Sequence, residues 1–491
     1  MKLYYSPVVS KITEYADDFL YFMQETFPSY LEEEDYKSFV NTNKNVVFTK
    51  EHFFVELNNT IYVYSGFLRI IIKNFRFDLV STVEKYTCSN KELNSILYEH
   101  QNKVVKAAIR NNRGIIKSPT GSGKSFIIGD LVSRYIEDGQ TILITVPTID
   151  LLKQLSEDIN TCRELSGLEP LDIGAVGNGE LSIKQVTIGI PNSLSKLNKV
   201  LDKKTKMKDY LENVDVLIAD EVHTCATPTY SLIIDHMLNM KVSLGLSATP
   251  WTNGANHNLL YAFFGDLIIE VFESEMIKKN IIMEPLFEYY TAPKAFLSPH
   301  LSKSANQIST ISNKYRYKVL NQVYEQLISN NKGRNNLIVK LGIERLEQDI
   351  GPIVIICNKI RGENCHGKIL QEMFLSEGYN LPIIGGHVSK KKREKLIDDL
   401  KSSNILGVIA GPKVLSAGIS IPSLSTIILA GAGKSDSEYI QRVGRLLRKD
   451  EGKERPKVID FIDQQYWFNK QSRSRIDVAE NVYGSLNIKY K

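Results

Sequence analysis

The run Ser118-Pro119-Thr120-Gly121-Ser122-Gly123-Lys124-Ser125 carries the densest chemistry in the chain. It follows the phosphate-binding pattern G-x-x-x-x-G-K-[ST] everywhere except its first position, where Ser118 replaces glycine. Gly121 and Gly123 let the backbone curl, so that successive N–H groups from Thr120 through Ser125 turn inward toward phosphate oxygens. Lys124 would reach the β- and γ-phosphates, and the Ser125 hydroxyl would hold Mg²⁺. The first position mainly needs a small side chain at a strand exit, which Ser118 supplies.

Residues 214–223, VDVLIADEVH, form an apolar run that ends in two carboxylates. Asp220 is suited to bind Mg²⁺ directly or through water, and Glu221 to polarise water attacking a γ-phosphate. A phosphate loop followed by an acidic pair at a strand end is a joint signal for nucleoside triphosphate hydrolysis. Residues 441–448, QRVGRLLR, add Gln441, Arg445 and Arg448. The two arginines are three apart, a spacing that predicts one face of a helix. Guanidinium groups stay charged and form forked hydrogen bonds, which suits a triphosphate.

Such residues need strands that end together and helices that start at those ends. From about residue 91 the chain alternates apolar strands (RGIIK, QTILITVPT, QVTIGIPNSL, VDVLIADEVH, KVSLGLSATP) with helical patterns, which predicts a parallel sheet with crossover helices. The alternation stalls in a loosely ordered stretch at 283–312 rich in Pro, Ser and Asn. It resumes with GPIVIICNK, LPIIGG, ILGVIAGPK, LSTIILAGAG and PKVIDFID. The expected organisation is an α/β chain: a small N-terminal α/β accessory domain at 1–90, two tandem parallel-sheet domains at 91–280 and 281–465, and a tail at 466–491. In the N-terminal part, residues 45–75 read as two or three strands broken at NNT, then an amphipathic element.

Composition narrows the class. At 491 residues the chain exceeds one ordinary core. With 43% hydrophobic and 24% charged residues it reads as globular, and no apolar run approaches a membrane span. The N-terminus lacks the pattern of a secretory signal. Five scattered cysteines without a C-x-x-C pair favour neither a zinc site nor a disulfide framework, and a reducing, cytoplasmic setting is expected. A net charge of +5 leans only mildly toward polyanions. Two local basic runs stand out, SKKKREK at 389–395 and NKYRYK at 313–318, the second alternating base and aromatic as a stacking surface would.

An ordered series of motifs resembles superfamily 2 helicases and translocases. Its parts are LYEHQ (97–101), the loop at 118–125, TVPTIDLLKQ (145–154), IGIPNSL (188–194), DEVH (220–223), SATP (247–250), LSAGISIP (415–422) and QRVGRLLR (441–448). The resemblance implies that Gln101 contacts the adenine base and that His223, Ser247 and Thr249 couple hydrolysis to movement. It implies further that the two tandem domains are RecA-like and that Arg445 and Arg448 complete the ATP site when they close. One strand of nucleic acid would be gripped mainly by its phosphates, at Thr148, Asn192, Gly385, Gly386 and Ser416; loop or helix-cap chemistry is the competing account of these five. The fifth motif departs from the common G-x-D, reading Gly418-Ile419-Ser420. Phage branch-migration helicases of the UvsW type also read G-I-S there and also place a small module ahead of the motor. The implied activity is an ATP- and Mg²⁺-dependent DNA helicase that remodels branched DNA, acting in a bacterial host cytoplasm if phage-encoded. An RNA-dependent ATPase, a duplex-translocating motor subunit that does not separate strands, and a clamp using ATP only as a binding switch stay open.

Overall fold

The structure, a computed structural model, describes the chain outside residues 5–8, 27–53, 58, 80–85, 90–95, 198–200, 252–256, 309–311, 349, 387, 413, 415–420 and 432–434. By internal contacts it divides into two compact units, Met1–Pro119 with Gly123–Val271, and Thr120–Ser122 with Phe272–Lys491. Among the described residues the strands form sheets of five, eight and seven strands.

The N-terminal sheet runs β3 (Phe54–Leu57), β4 (Thr60–Tyr64), β2 (Val9–Thr13), β1 (Lys2–Tyr4), β5 (Asp78–Leu79). β3 and β4 flank the predicted break at NNT, and the helix Leu68–Asn74 is the amphipathic element expected after them. This module does not keep a core to itself. Ile12, Phe19, Ile61 and Phe67 share one apolar cluster with Leu217 on a strand of the larger sheet, Val222 in the turn after it, and Phe263 and Phe264 on the helix His257–Phe264. The backbone at Gly66 sits so close to the Tyr261 carbonyl that a Cβ there would be 1.9 Å from its oxygen.

The eight-stranded sheet has the order β13 (Leu267–Glu270), β6 (Arg113–Lys117), β12 (Val242–Ser247), β11 (Val216–Asp220), β7 (Ile142–Thr145), β10 (Val186–Gly189), β8 (Gly174–Gly177), β9 (Glu180–Leu181). All its pairings are parallel except β8 with β9. The apolar runs are continuous because helices cover both faces of such a sheet. Ile115, Ile116, Leu143, Ile144, Leu217, Ile218, Leu244 and Leu246 are all fully buried, each contributing about 1.5–3 kcal/mol.

The seven-stranded sheet is wholly parallel: β16 (Ile383–Ile384), β17 (Gly407–Ala410), β15 (Ile353–Ile356), β18 (Thr426–Ile428), β19 (Lys457–Ile462), β14 (Leu286–Thr291), β20 (Ile488–Tyr490). Two expectations need correcting here. The stretch 283–312 is not loose, since it holds β14 and the helix Pro299–Asn306. β14 is hard to see because Glu288 interrupts its apolar pattern; the carboxylate is 4% exposed and paired with Lys457 and Lys491, each at 3.2 Å. Residues 466–491 are likewise more than a tail. They form the helix Tyr466–Tyr483 and the edge strand β20, which pairs with β14.

Candidate active site

Because β6, β12 and β11 are adjacent and parallel, their C-terminal ends open on one edge of the sheet. The register pairs Ser247 with Lys117 and Asp220 with Leu246. The sheet therefore delivers the start of the phosphate loop, the S-A-T-P motif and the acidic pair together.

Ser118 leaves β6 fully buried, and its backbone N–H donates to the Ser247 carbonyl at 3.0 Å. A small side chain is what this tight exit demands. The loop then turns through Gly121 (φ 85°) and Gly123 (φ 80°), both in the left-handed region that glycine enters without steric penalty. Gly123 caps the helix Lys124–Glu137, whose first N–H groups lack intrahelical partners and attract anions. A Cβ at Gly123 would stand 2.1 Å from Gln101 Nε2, so a larger residue would have to displace that amide as well as adopt the strained positive φ. Lys124 folds back over its own loop, with Nζ donating to the carbonyls of Ser118 (3.2 Å) and Pro119 (3.3 Å). Gln101 is buried at the start of the helix Glu99–Asn111. Its Oε1 accepts from Tyr98 N at 2.8 Å, and its Nε2 donates to the Gly123 carbonyl at 3.5 Å.

Glu221 follows β11 in a left-handed conformation, φ 54° and ψ 53°, which costs a residue with a Cβ about 1–2 kcal/mol. Local hydrogen bonds hold it there. Its N–H donates to Asp220 Oδ1 at 3.0 Å, and its carbonyl accepts from both Thr224 N and Thr224 Oγ1 at 2.9 Å. The kink turns the carboxylate toward β12, where Ser247 Oγ donates to Glu221 Oε2 at 3.0 Å. Ser247 Oγ also accepts from Thr249 N at 3.1 Å and lies 3.0 Å from His223 Nδ1. A serine hydroxyl has one proton and two acceptor sites. With the proton given to Glu221, the network assigns the neutral histidine its proton on Nδ1. Burial lowers the His223 pKa, the Glu221 carboxylate opposes that shift, and the nearby Lys124 charge adds to it. The neutral form is thus favoured.

This donor set fits a magnesium–triphosphate. The helix terminus, the Lys124 ammonium and the glycine turns suit phosphate oxygens, while the Ser125 hydroxyl and the Asp220 carboxylate suit a hard cation. Among the described residues no three His, Cys, Asp or Glu side chains cluster as a metal cage. Mg²⁺ does not need one, being held by one or two protein oxygens plus substrate phosphates.

In the second unit, Gln441 and Arg445 lie on the helix Asp436–Leu446, each 8% exposed. Arg448 is not on that helix, contrary to the spacing-based expectation: the helix stops at Leu446, and Arg448 lies two residues beyond. Lys453 satisfies carbonyl groups around that end. Its ammonium donates to the carbonyls of Leu446 (2.7 Å), Arg448 (2.8 Å) and Pro422 (2.8 Å), and burial pushes its pKa down to about 8. Beneath the helix, Tyr439 Oη meets Tyr289 Oη at 3.0 Å, and Arg475 makes a forked pair with Asp460 at 2.7 and 2.9 Å. None of these supports was foreseen, and only a lysine shortly after the arginine motif hinted at one.

Of the five residues expected at nucleic acid, Thr148 caps the helix Ile149–Leu165, its Oγ1 accepting from Leu151 N at 3.3 Å. Asn192 is exposed on the helix Pro191–Leu197. Gly385 and Gly386 form a turn after β16, with the Gly385 carbonyl accepting from Val388 N at 3.0 Å. Ser416, with the Gly418-Ile419-Ser420 departure, lies outside the described residues.

Comparison with known families agrees with this geometry. Residues 94–252 match the family described as type III restriction enzyme, res subunit, and residues 333–450 match the helicase conserved C-terminal domain. The chain belongs to superfamily 2 of the helicases. The helicase is 27% identical over 467 residues to a protein of Sulfolobus islandicus filamentous virus named as a helicase, covering 93% of this chain and 79% of that one. It is 25% identical over 372 residues to the DNA 3'-5' translocase XPB2 of Sulfurisphaera tokodaii, covering 72% and 79%. It is also 25% identical over 391 residues to the ATP-dependent DNA helicase uvsW of Enterobacteria phage T4, covering 78% and 71%. Its fold matches that of S. cerevisiae Dbp5 bound to RNA and ADP BeF3, with a TM-score of 0.53 at 16% identity, covering 80% of this chain and 90% of that one. The helicase is thus an ATP-driven enzyme that binds nucleic acid. None of its described helices is long and apolar enough to cross a membrane.

Proposed function

We propose that this helicase is a DNA motor that spends Mg-ATP on remodelling branched DNA, by fork regression, branch migration and dissociation of R- or D-loops. The observation that carries the hydrolytic part is the Glu221–Ser247–His223 network, built where adjacent strands end beside the phosphate loop. Two relatives named as DNA motors support DNA over RNA.

In this reading residues 120–125 cradle the phosphates, with Lys124 on the β- and γ-groups, and Gln101 contacts the base. Ser125 and Asp220 would hold Mg²⁺, whose charge offsets that of the phosphates. Glu221 orients the attacking water and accepts its proton. Arg445 and Arg448, with Gln441, stabilise charge as the terminal phosphate leaves. His223, Ser247 and Thr249 relay the state of the γ-phosphate site. Thr148, Asn192, Gly385, Gly386 and Ser416 grip the strand; the capping bond at Thr148 leaves its hydroxyl proton available, since a hydroxyl accepts and donates at once. Residues 1–90 act as the DNA-binding accessory domain, 91–280 as the ATP-binding motor domain, 281–465 as the second motor domain, and 466–491 complete the latter's sheet.

Steady-state ATP hydrolysis tests the proposal, measured for the wild type and Glu221→Gln with no polymer, single-stranded DNA, duplex DNA, a four-way junction and RNA. The expected result is strongest stimulation by the junction, abolished in the variant. Stimulation by RNA alone would overturn the DNA assignment.

A further inference from the structure

The second unit has an open pocket of about 390 Å³ whose residues serve no part of the ATP site. Tyr317, Tyr324 and Trp467 supply aromatic walls, Asn321, Asn358 and Gln471 supply amides, and Lys359 supplies a cation. Tyr317 belongs to the basic–aromatic run noted in the sequence and is 72% exposed; its neighbour Tyr315 is 64% exposed. Both rings lie on the helix Asn313–Tyr324. Of the two, Tyr317 lines the pocket and leaves most of its ring accessible from solvent. Lys359 Nζ stands 5.6 Å above the Tyr324 ring and is paired with Glu325 at 2.6 Å.

Aromatic faces, amide donors and acceptors, and a lysine are what an unpaired nucleobase with its phosphate requires. The base stacks, its edge meets the amides, and the phosphate meets the ammonium. A duplex hides its base faces and cannot use such walls. The pocket also adjoins the strand ends assigned to the nucleic-acid track. Asn358 and Lys359 follow β15, and two residues on Arg361 reaches Gly386, where an added Cβ would stand 3.1 Å from its guanidinium.

We propose that this pocket captures one unpaired base of the strand on which the helicase acts. The proposal rests on the chain working on nucleic acid, and it adds a stacking subsite that the motor motifs do not contain. Trp467 reports on it directly, because the chain has one other tryptophan, Trp251. In a Trp251→Phe background, titration with a thymidine oligonucleotide should quench Trp467 fluorescence. An abasic oligonucleotide of equal length should bind without quenching, and thymidine monophosphate at matched base concentration should quench far less. Tyr317→Ala should weaken binding of the thymidine oligomer by about 5- to 150-fold, the range for loss of one stacked base, and leave the abasic oligomer's affinity unchanged. Tyr317→Phe should restore binding. The exposed position of Tyr317 makes unfolding an unlikely confusion, and a thermal melt of each variant checks it.

Equal affinity for the two oligomers, insensitive to Tyr317→Ala, would overturn the pocket while leaving the motor reading intact, and would point to a protein partner on this face. Equal quenching by the mononucleotide would overturn the strand as occupant. Failure to bind either oligomer would overturn both readings.

Discussion

At the acidic strand end of the first unit, Glu221, Ser247 and His223 hold one another through hydrogen bonds of 3.0 Å. The arginine helix of the second unit is instead held from outside itself. Lys453 ties down its last carbonyl, that of Leu446, and the Tyr289–Tyr439 contact and the buried Arg475–Asp460 pair support it from beneath. In the first region the chemical groups are their own scaffold, so a change in one is felt at once by the others. In the second the Arg445 guanidinium is carried on a braced helix, and chemistry and support are separate residues. A self-supporting network suits a sensor, and a braced helix suits delivery of a fixed charge.

That contrast can be broken by substitution. The largest effect is expected from Arg445→Ala. On the proposed role of Arg445 in stabilising transition-state charge, its loss should lower kcat by about 10³–10⁵, with the fold unchanged by circular dichroism. Glu221→Gln should lower kcat by about 10²–10⁴, the usual worth of a positioned general base, while nucleotide binding persists in a fluorescence titration. Ser247→Ala sharpens the comparison. It leaves Glu221, His223 and Thr249 short of a shared partner, so it should cost about 1.5–3 kcal/mol in denaturant unfolding and reduce strand displacement more than ATP turnover. Its counterpart Tyr289→Phe removes a brace without touching a charged group. The expected loss is about 1 kcal/mol in stability, with a near-normal ATP rate.

A pH experiment separates stability from catalysis. Burial raises the Asp235 pKa to about 7, against the opposing hydrogen bond from Tyr64. A carboxyl raised in the folded state binds its proton more tightly there. Its favourable contribution is full below the unfolded value near 3.8 and is lost as pH rises through about 7. Asp235→Asn should therefore raise the melting temperature relative to wild type more at pH 8 than at pH 5. An equal change at both would show that Asp235 is ionised throughout. This pair joins the N-terminal module to the end of the helix Pro228–Ile234, so the result also reports on how firmly the module is seated.

Much of the site was legible because its parts are local. Gly121, Gly123 and Lys124 lie within four residues, Asp220 and Glu221 end a single apolar run, and the strands that carry them are continuous stretches of buried residues. β14 was not legible, because Glu288 breaks its pattern and is tolerated only through Lys457 and Lys491, distant in sequence. Arg448 was placed on a helix because a spacing of three implies a helical face only while the helix continues. This one stops at Leu446.

The sequence by itself determined the chemistry available to this protein: a phosphate loop, an acidic pair, a ladder of motor motifs and two runs of parallel strands. Those depend on residue type, close spacing and apolar periodicity, all of which are written along the chain. Only folding settled that Glu221 turns left-handed to meet Ser247, that Lys453 reaches the Pro422 carbonyl, and that residues 466–491 close the second sheet beside β14. Each of these is a bond between residues far apart in the chain. Such bonds form only where folding has already brought both partners out of water and into reach.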